Sequence, residues 1–338
     1  MHSSLSEAVR HLPHLDENIK DHLCDAYGTE CALGKLGDHA DTDFNHACDY
    51  GCLIAFGTCE DADGNGYCDY GCGKQFEIES DAPLYTRDGD YIYFGEYPQT
   101  IKADDVTITE TQDNRGYFLG SDGCYYAKII ATPFNSSYTF STGATVVSET
   151  VYYFKVEPIR WRILTEENGA ALILCDSIIA NVAYDAGTGY NNNYKDSDVR
   201  AWLNAQFYET AFGELEQKII LMTIVDNSAE STGNNSNTFA CEDTEDKIFL
   251  LSYEEASGVY GIITSDSRRL LTSDYARAMG AHMSTSNSFY GCGYWFLRSP
   301  YVYSSIGVRF VPFDGNMNKY VSVNLSCHGV VPALWIRL

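Results

Sequence analysis

The sequence predicts an α+β fold over residues 85–338, preceded over residues 1–80 by small repeats rich in Cys, Asp and His. Three observations carry this. Apolar and polar residues alternate with a period of two in several stretches, the signature of half-buried strands. Asn-Gly and Asp-Gly pairs at 168–169 and 314–315 separate such stretches, as hairpin turns do. Helical periodicity is confined to short segments that do not alternate with strands as βαβ units, which fits an α+β domain better than a doubly wound sheet.

Residues 14–73 contain a degenerate repeat. His39–Cys52 (HADTDFNHACDYGC) matches Cys59–Cys72 (CEDADGNGYCDYGC) nearly position by position, and His14–Gly28 is a weaker version. Units of about 20 residues cannot bury a core of their own, so they need staples. Asp61, Asp63, Asn65 and Asp69 fall at positions 1, 3, 5 and 9 of a calcium loop, with Gly66 at the sharp turn. Asp41, Asp43, Asn45 and Asp49 repeat that spacing. Position 12 is Cys72 or Cys52 rather than a bidentate Glu, so Ca2+ affinity is expected to be modest. Disulfides are the alternative staple, because seven of the twelve Cys precede residue 75. Zinc held by His39, His46, Cys48 and Cys52 is another. Without cations, 16 acidic against 4 basic residues in 1–80 would make the segment a self-repelling linker.

After a join near Glu77–Thr86, the main domain begins at Tyr91–Thr100 (YIYFGEYPQT). Ile159, Trp161 and Ile163 alternate with Arg160, Arg162 and Leu164, and the Asn168-Gly169 turn leads into Ala170–Cys175, completing a hairpin. Gly187–Ser197 is polar, with three consecutive Asn. Val199, Trp202, Leu203, Gln206 and Phe207 then fall at helical spacing, with all but Gln206 apolar. Asp226–Asp243 reads as a long surface loop. Lys247–Leu251 reads as a strand, followed by a capping box from Ser252 and Glu255. Ser273 or Thr272 caps a helix over Asp274–Met279, closed by Gly280.

The C-terminal stretch is the most informative. From Tyr320 to Ser326, Val321, Val323 and Leu325 are expected to face the core, and Tyr320, Ser322, Asn324 and Ser326 the solvent. Tyr offers large, stiff contact area at low entropy cost, and Ser and Asn offer adaptable hydrogen bonds. Tyr makes up 26 of 338 residues. An alternating strand at the edge of a core needs no ligand, so this pattern alone leaves a plain scaffold open.

The order of WFLRSP at Trp295–Pro300, Asp314-Gly315, and GVVPALWI near the end resembles the variable proteins of diversity-generating retroelements. These carry a C-type-lectin-like domain of the formylglycine-generating-enzyme type. YIYFGEYPQT and IRWRIL resemble uncharacterised bacterial relatives of the same family, and the resemblance covers roughly residues 90–338. It implies a hypervariable ligand-binding segment over 295–338, in which adenine-directed mutation yields a residue set without Lys, Gln, Glu, Met or Trp. Tyr301, Tyr303, Ser304, Ser305, Ile306, Phe310, Phe313, Asn316, Asn318, Tyr320, Ser322, Asn324, Ser326, Cys327 and His328 all belong to that set. Met317 and Lys319 do not, and Val331 departs from the Arg usual in the family.

What the resemblance implies is a receptor- or adhesin-like protein, secreted or displayed at a bacterial surface, that binds a protein or glycan on another cell or a phage. A non-diversified adhesin or carbohydrate-binding module is the alternative. A net charge of −25 argues against nucleic acid as partner, and no apolar run is long enough for a membrane span. The first residues lack a basic-then-apolar leader, so either a signal peptide has been removed or this stretch begins downstream of one. An enzyme of the formylglycine-generating type needs a closely spaced Cys pair, for which Cys292 and Cys327 are the nearest match. Cys327 and His328 read as exposed side chains rather than as a nucleophile and base. No phosphate loop, nucleophile elbow or zinc-protease helix occurs, so no catalytic residue is expected.

Overall fold

The computed structural model describes residues 83–187, 191–261, 263–317 and 319–338. Strands in chain order are β1 (Thr86–Asp88), β2 (Tyr91–Ile101), β3 (Ile108–Gln112), β4 (Phe118–Gly120) and β5 (Tyr125–Ile130). Then come β6 (Val151–Glu167), β7 (Ala170–Cys175), β8 (Ala180–Asn181), β9 (Thr223–Val225) and β10 (Thr244–Asp246). The last five are β11 (Trp295–Pro300), β12 (Gly307–Val311), β13 (Lys319–Ser322), β14 (Gly329–Val330) and β15 (Ala333–Arg337). With the short helices between them, they make a mixed α+β architecture within the unit Pro83–Leu338.

The first sheet is organised around β6. Its 17 residues are long enough to pair with β2 along one side and with β5 and then β7 along the other. Ile159, Trp161 and Ile163 alternate inward as expected, and the Trp161 indole donates to the carbonyl of Phe94 at 2.8 Å. Asn168 (φ 52°) and Gly169 (φ 76°) form the two-residue β6–β7 turn, both in the left-handed region that such a hairpin demands. The C-terminal strand β15 pairs with β7 from Ala333 to Arg337, so the end of the chain closes this sheet.

The second sheet has the order β13-β12-β11-β14-β8. Every residue of β11 is buried, and β13 forms an edge. β9 and β10 make a separate two-stranded ladder.

The helix anticipated around Val199–Phe207 runs as α-helical Asp198–Trp202, a π-helical turn Leu203–Phe207 and α-helical Tyr208–Ala211. Val199, Leu203 and Phe207 are fully buried. Ser197 caps it by accepting from the Arg200 amide. Asp274–Ala278 is capped by Ser273 and followed by Gly280 at φ 105°. Ser252 and Glu255 form the reciprocal capping box, at 2.8 and 3.1 Å.

Several expectations need correction. Lys247–Leu251 is no strand: its backbone makes one isolated bridge, Phe249 to Ala333, although Ile248 to Leu251 are buried. Asp226–Asp243 is not wholly a surface loop. Asn227, Ser231, Thr232 and Asn237 are buried, because the Asn237 amide reaches inward to donate to the carbonyl of Pro300 at 3.0 Å. β12 and β13 pair antiparallel on either side of Asp314-Gly315, but β12 ends at Val311 and β13 runs only from Lys319 to Ser322, so the strands are joined by a longer connection than a two-residue turn and β13 does not reach Leu325.

Among the described residues no helix is long and apolar enough to cross a membrane, and no group of three or more His, Cys, Asp or Glu is arranged to hold a metal ion. The calcium-type residues Asp41, Asp43, Asn45, Asp49, Asp61, Asp63, Asn65 and Asp69 lie outside the described residues.

Candidate functional site

The register of β12 against β13 sets the site. Arg309 stands opposite Tyr320 and Gly307 opposite Ser322, so these residues share one face, whereas Val308 and Val321 share the other. Val308 is fully buried, Val321 half-buried and Tyr320 53% exposed. The polar face therefore looks outward.

Between β11 and β12 the chain makes a loop, residues 301–306, that folds back on itself. The Tyr301 amide donates to the carbonyl of Gly307 at 2.8 Å, and the Ser304 amide to that of Tyr301 at 3.3 Å. Asn192, 3% exposed, holds this loop from beneath. Its side-chain amide donates to the carbonyls of Ser304 (2.8 Å) and Gly307 (2.7 Å), and its backbone amide to that of Ser305 (2.9 Å). A buried residue whose side-chain and backbone amides together satisfy three carbonyls fixes the loop before any ligand arrives. The expected polar stretch over Gly187–Ser197 thus contains an anchor.

On this base stands an aromatic cluster. Tyr301 and Tyr320 stack in parallel with centroids 3.7 Å apart, and Tyr303 meets Tyr301 edge-on at 5.6 Å. Tyr303 is 80% exposed, and Ile306 is exposed beside it in sequence. The Arg309 guanidinium lies 5.0 Å from the ring centroid of Tyr253 and 5.1 Å from that of Tyr301. Tyr253 is held in place by its amide, which donates to Ser299 Oγ at 2.8 Å. Below the loop, the Tyr184 hydroxyl donates to the carbonyl of Arg298 at 3.0 Å.

The fifteen positions anticipated as a displayed surface divide as follows. Tyr303, Ser305, Ile306, Asn316, Tyr320, Asn324 and Ser326 are exposed, while Tyr301, Ser304, Phe313 and Ser322 are half-buried. Asn318 lies outside the described residues. Phe310, Cys327 and His328 are buried, and are corrected here as residues of the interior. Beyond Ser322 the chain leaves the strand for a turn, in which the Leu325 amide donates to the carbonyl of Ser322. The strict alternation fails there, and Leu325 is exposed rather than buried.

Phe310, Cys327 and His328 belong to an aromatic column behind the face. His282 stacks on Tyr294 at 3.6 Å, and His328 packs against Tyr294, Phe296 and Phe310 at 5.2, 5.2 and 4.5 Å. His282 Nδ1 and His328 Nε2 are buried without hydrogen-bond partners. Burial lowers the pKa of His282 to about 4; burial, then repulsion from His282, lowers that of His328 to about 3. Both rings are neutral at pH 7. Burial also pushes the thiols of Cys292 and Cys327 up, which disfavours the thiolate that nucleophilic or metal chemistry requires.

The sequence reading missed Asn192, Arg309 and Tyr253. Asn192 sits in a run of identical residues and Tyr253 far away in the chain, so nothing local marked them. Arg309 was visible as a charge between apolar strand residues.

Fold and site define an α+β domain whose last sheet presents a pinned loop with an exposed aromatic cluster. Residues 168–338 match the family described as a domain of unknown function, DUF6273. The match spans just over half of the 338 residues, and the chain belongs to this family. It begins at the β6–β7 turn and takes in the whole second sheet and the loop. No curated protein matches the chain, and no solved structure does.

Proposed function

We propose that this protein is a ligand-binding, receptor- or adhesin-like molecule that engages its partner with the face formed by the 301–306 loop, β12 and β13. The observation that carries the reading is the pinned loop with its exposed aromatic cluster. A face of Tyr, Ser and Asn on a fixed backbone makes large contact area at little ordering cost. Tyr303, Tyr320 and the open side of Tyr301 would be the anchors, with Ser305, Asn324 and Ser326 around them.

On this reading the domain has the C-type-lectin-like fold of retroelement-diversified proteins, and the exposed positions of 295–338 are its variable residues. Supporting it is the separation of roles in β12 and β13, where Val308 and Val321 face the interior while Arg309 and Tyr320 face outward. Replacing an outward residue changes stability by roughly ±0.5 kcal/mol, so many side chains can share one scaffold. The protein would be secreted or surface-displayed, acting by recognition rather than catalysis.

The test is the DNA flanking the gene. A near-identical copy of the Trp295–Leu338 coding stretch beside a reverse-transcriptase gene, differing where the copy reads adenine, is the expected result. Absence of such a copy removes diversification and leaves a fixed binder. Binding of a ligand raised against this face should then be lost on replacing Tyr303 and Tyr320 together by Ala; unchanged binding would place recognition elsewhere.

A further inference from the structure

Arg309 differs from the other half-buried or buried arginines of the described residues, although Arg277 shares with it a buried Nε that has no partner. The other half-buried or buried arginines among the described residues, Arg162, Arg200, Arg268, Arg277 and Arg298, each donate hydrogen bonds to a carboxylate or carbonyl. Arg309 is half-buried in the middle of β12, and its Nε is buried with no hydrogen-bond partner. It forms no ion pair with any described residue, in a chain carrying 47 acidic side chains against 22 basic. The buried Nε is closed to a ligand, whereas the two terminal nitrogens keep some contact with solvent and donate to no described residue, so they are the donors an incoming acceptor can reach. The rings of Tyr253 and Tyr301 hold the guanidinium from the side, and its register partner Tyr320 stands on the same face.

We propose that Arg309 is a carboxylate-binding subsite in the floor of the recognition face, and that the ligand is a polypeptide presenting an Asp or Glu side chain among apolar neighbours. This rests on the reading of the face as the ligand surface and names the ligand's chemical class. A guanidinium fork matches a carboxylate bidentately, and a ring-flanked guanidinium is partly desolvated already, so the pair forms at reduced cost. The surroundings favour a polypeptide over an acidic sugar. Ile306 and Leu325 are 43% and 46% exposed aliphatic side chains, which reward apolar side chains and offer nothing to hydroxyls. Charge complementarity is local, since the chain as a whole is acidic and would repel an acidic partner elsewhere. Arg309 lies outside the positions expected to vary, so the demand for a carboxylate would stay constant while the rim changes.

The experiment is selection of a phage-displayed random dodecapeptide library on the immobilised full chain, followed by titration of the selected peptides at low and high salt. The expected peptides share an Asp or Glu. Converting that residue to its amide weakens binding about tenfold, Arg309→Gln weakens the parent peptide equally, and the two losses do not add. Arg309→Lys, which keeps the charge and guards against misfolding of the Gln variant, recovers part of the loss. Peptides without a shared acid, or bound equally by Arg309→Gln, overturn the carboxylate subsite. Peptides bound equally by a Tyr303→Ala, Tyr320→Ala double variant overturn the face itself, which is a separate failure. Arg309-dependent binding of uronic-acid oligosaccharides, with no peptide selected, overturns the polypeptide assignment.

Discussion

Tyr301 and Tyr320 lie face to face, 3.7 Å between centroids and 5° between planes, although 19 positions separate them in the chain. One begins the loop that follows β11 and the other is the second residue of β13, so the stack joins the loop to the sheet edge across β12. Tyr303 and Arg309 are both organised around it.

Because that stack is partly solvated, it contributes little to the fold. Tyr320→Ala should lower stability by about 1 kcal/mol or less. Val323 is fully buried, and Val323→Ser should cost about 1–3 kcal/mol through loss of apolar burial and an unsatisfied hydroxyl. Urea denaturation of the two variants reads the contrast; equal losses would mean the face and the core are not separate.

Asn192 is the test of a pre-ordered loop. Asn192→Ala leaves the carbonyls of Ser304 and Gly307 without their buried donor, at about 1–3 kcal/mol. Amide hydrogen exchange should quicken across 301–307 while the β6–β7 hairpin keeps its protection. Unchanged exchange in the loop would show that its own turn bonds suffice.

The two histidines make stability depend on pH. Their folded pKa values, about 4 for His282 and about 3 for His328, lie below the ordinary 6.5. Between those limits the unfolded chain binds protons that the folded chain refuses, so stability is full above pH 6.5 and falls as pH drops. Each ring costs at most about 1.4 kcal/mol per pH unit. His328→Phe, in a site lined by Tyr294, Phe296 and Phe310, should change little at pH 7 and should be more stable than the parent at pH 5, measured by urea midpoints. Parallel pH curves for parent and variant would contradict the burial of a neutral ring.

The buried Arg298 and the half-buried Glu255 form a two-pronged ion pair, and the guanidinium also donates to the carbonyls of Asp226 and Leu250. Glu255→Ala strands the guanidinium and removes half of a capping box, and should cost about 3 kcal/mol or more. Arg298→Met with Glu255→Leu should cost less than the single change. The comparison, again by denaturation, separates the value of the pair from the penalty of breaking it.

Some of this was legible from local chemistry. The Asn168-Gly169 turn, the caps at Ser252 and Ser273 and the inward face of Ile159–Ile163 depend on neighbours within a few residues, and each forms as that local chemistry dictates. The failures came where partners are distant. Lys247–Leu251 has strand composition, but Ala333 meets it at a single bridge, so no ladder forms. Cys327 and His328 have polar atoms and looked displayed, yet Tyr294, Phe296 and Phe310 enclose the His328 ring.

What the sequence determined by itself is therefore the α+β class, the turns, the caps and the strand that faces two ways, because a two-residue period and a capping side chain act within reach of a few bonds. Only the tertiary structure decided which of the C-terminal side chains reach solvent, that Asn192 pins the loop, and that Arg309 stands beside Tyr253 and Tyr301 with no acceptor among the described residues. Those facts depend on register between strands and on groups brought together from over a hundred residues apart, and no periodicity along the chain encodes which distant neighbour will be there.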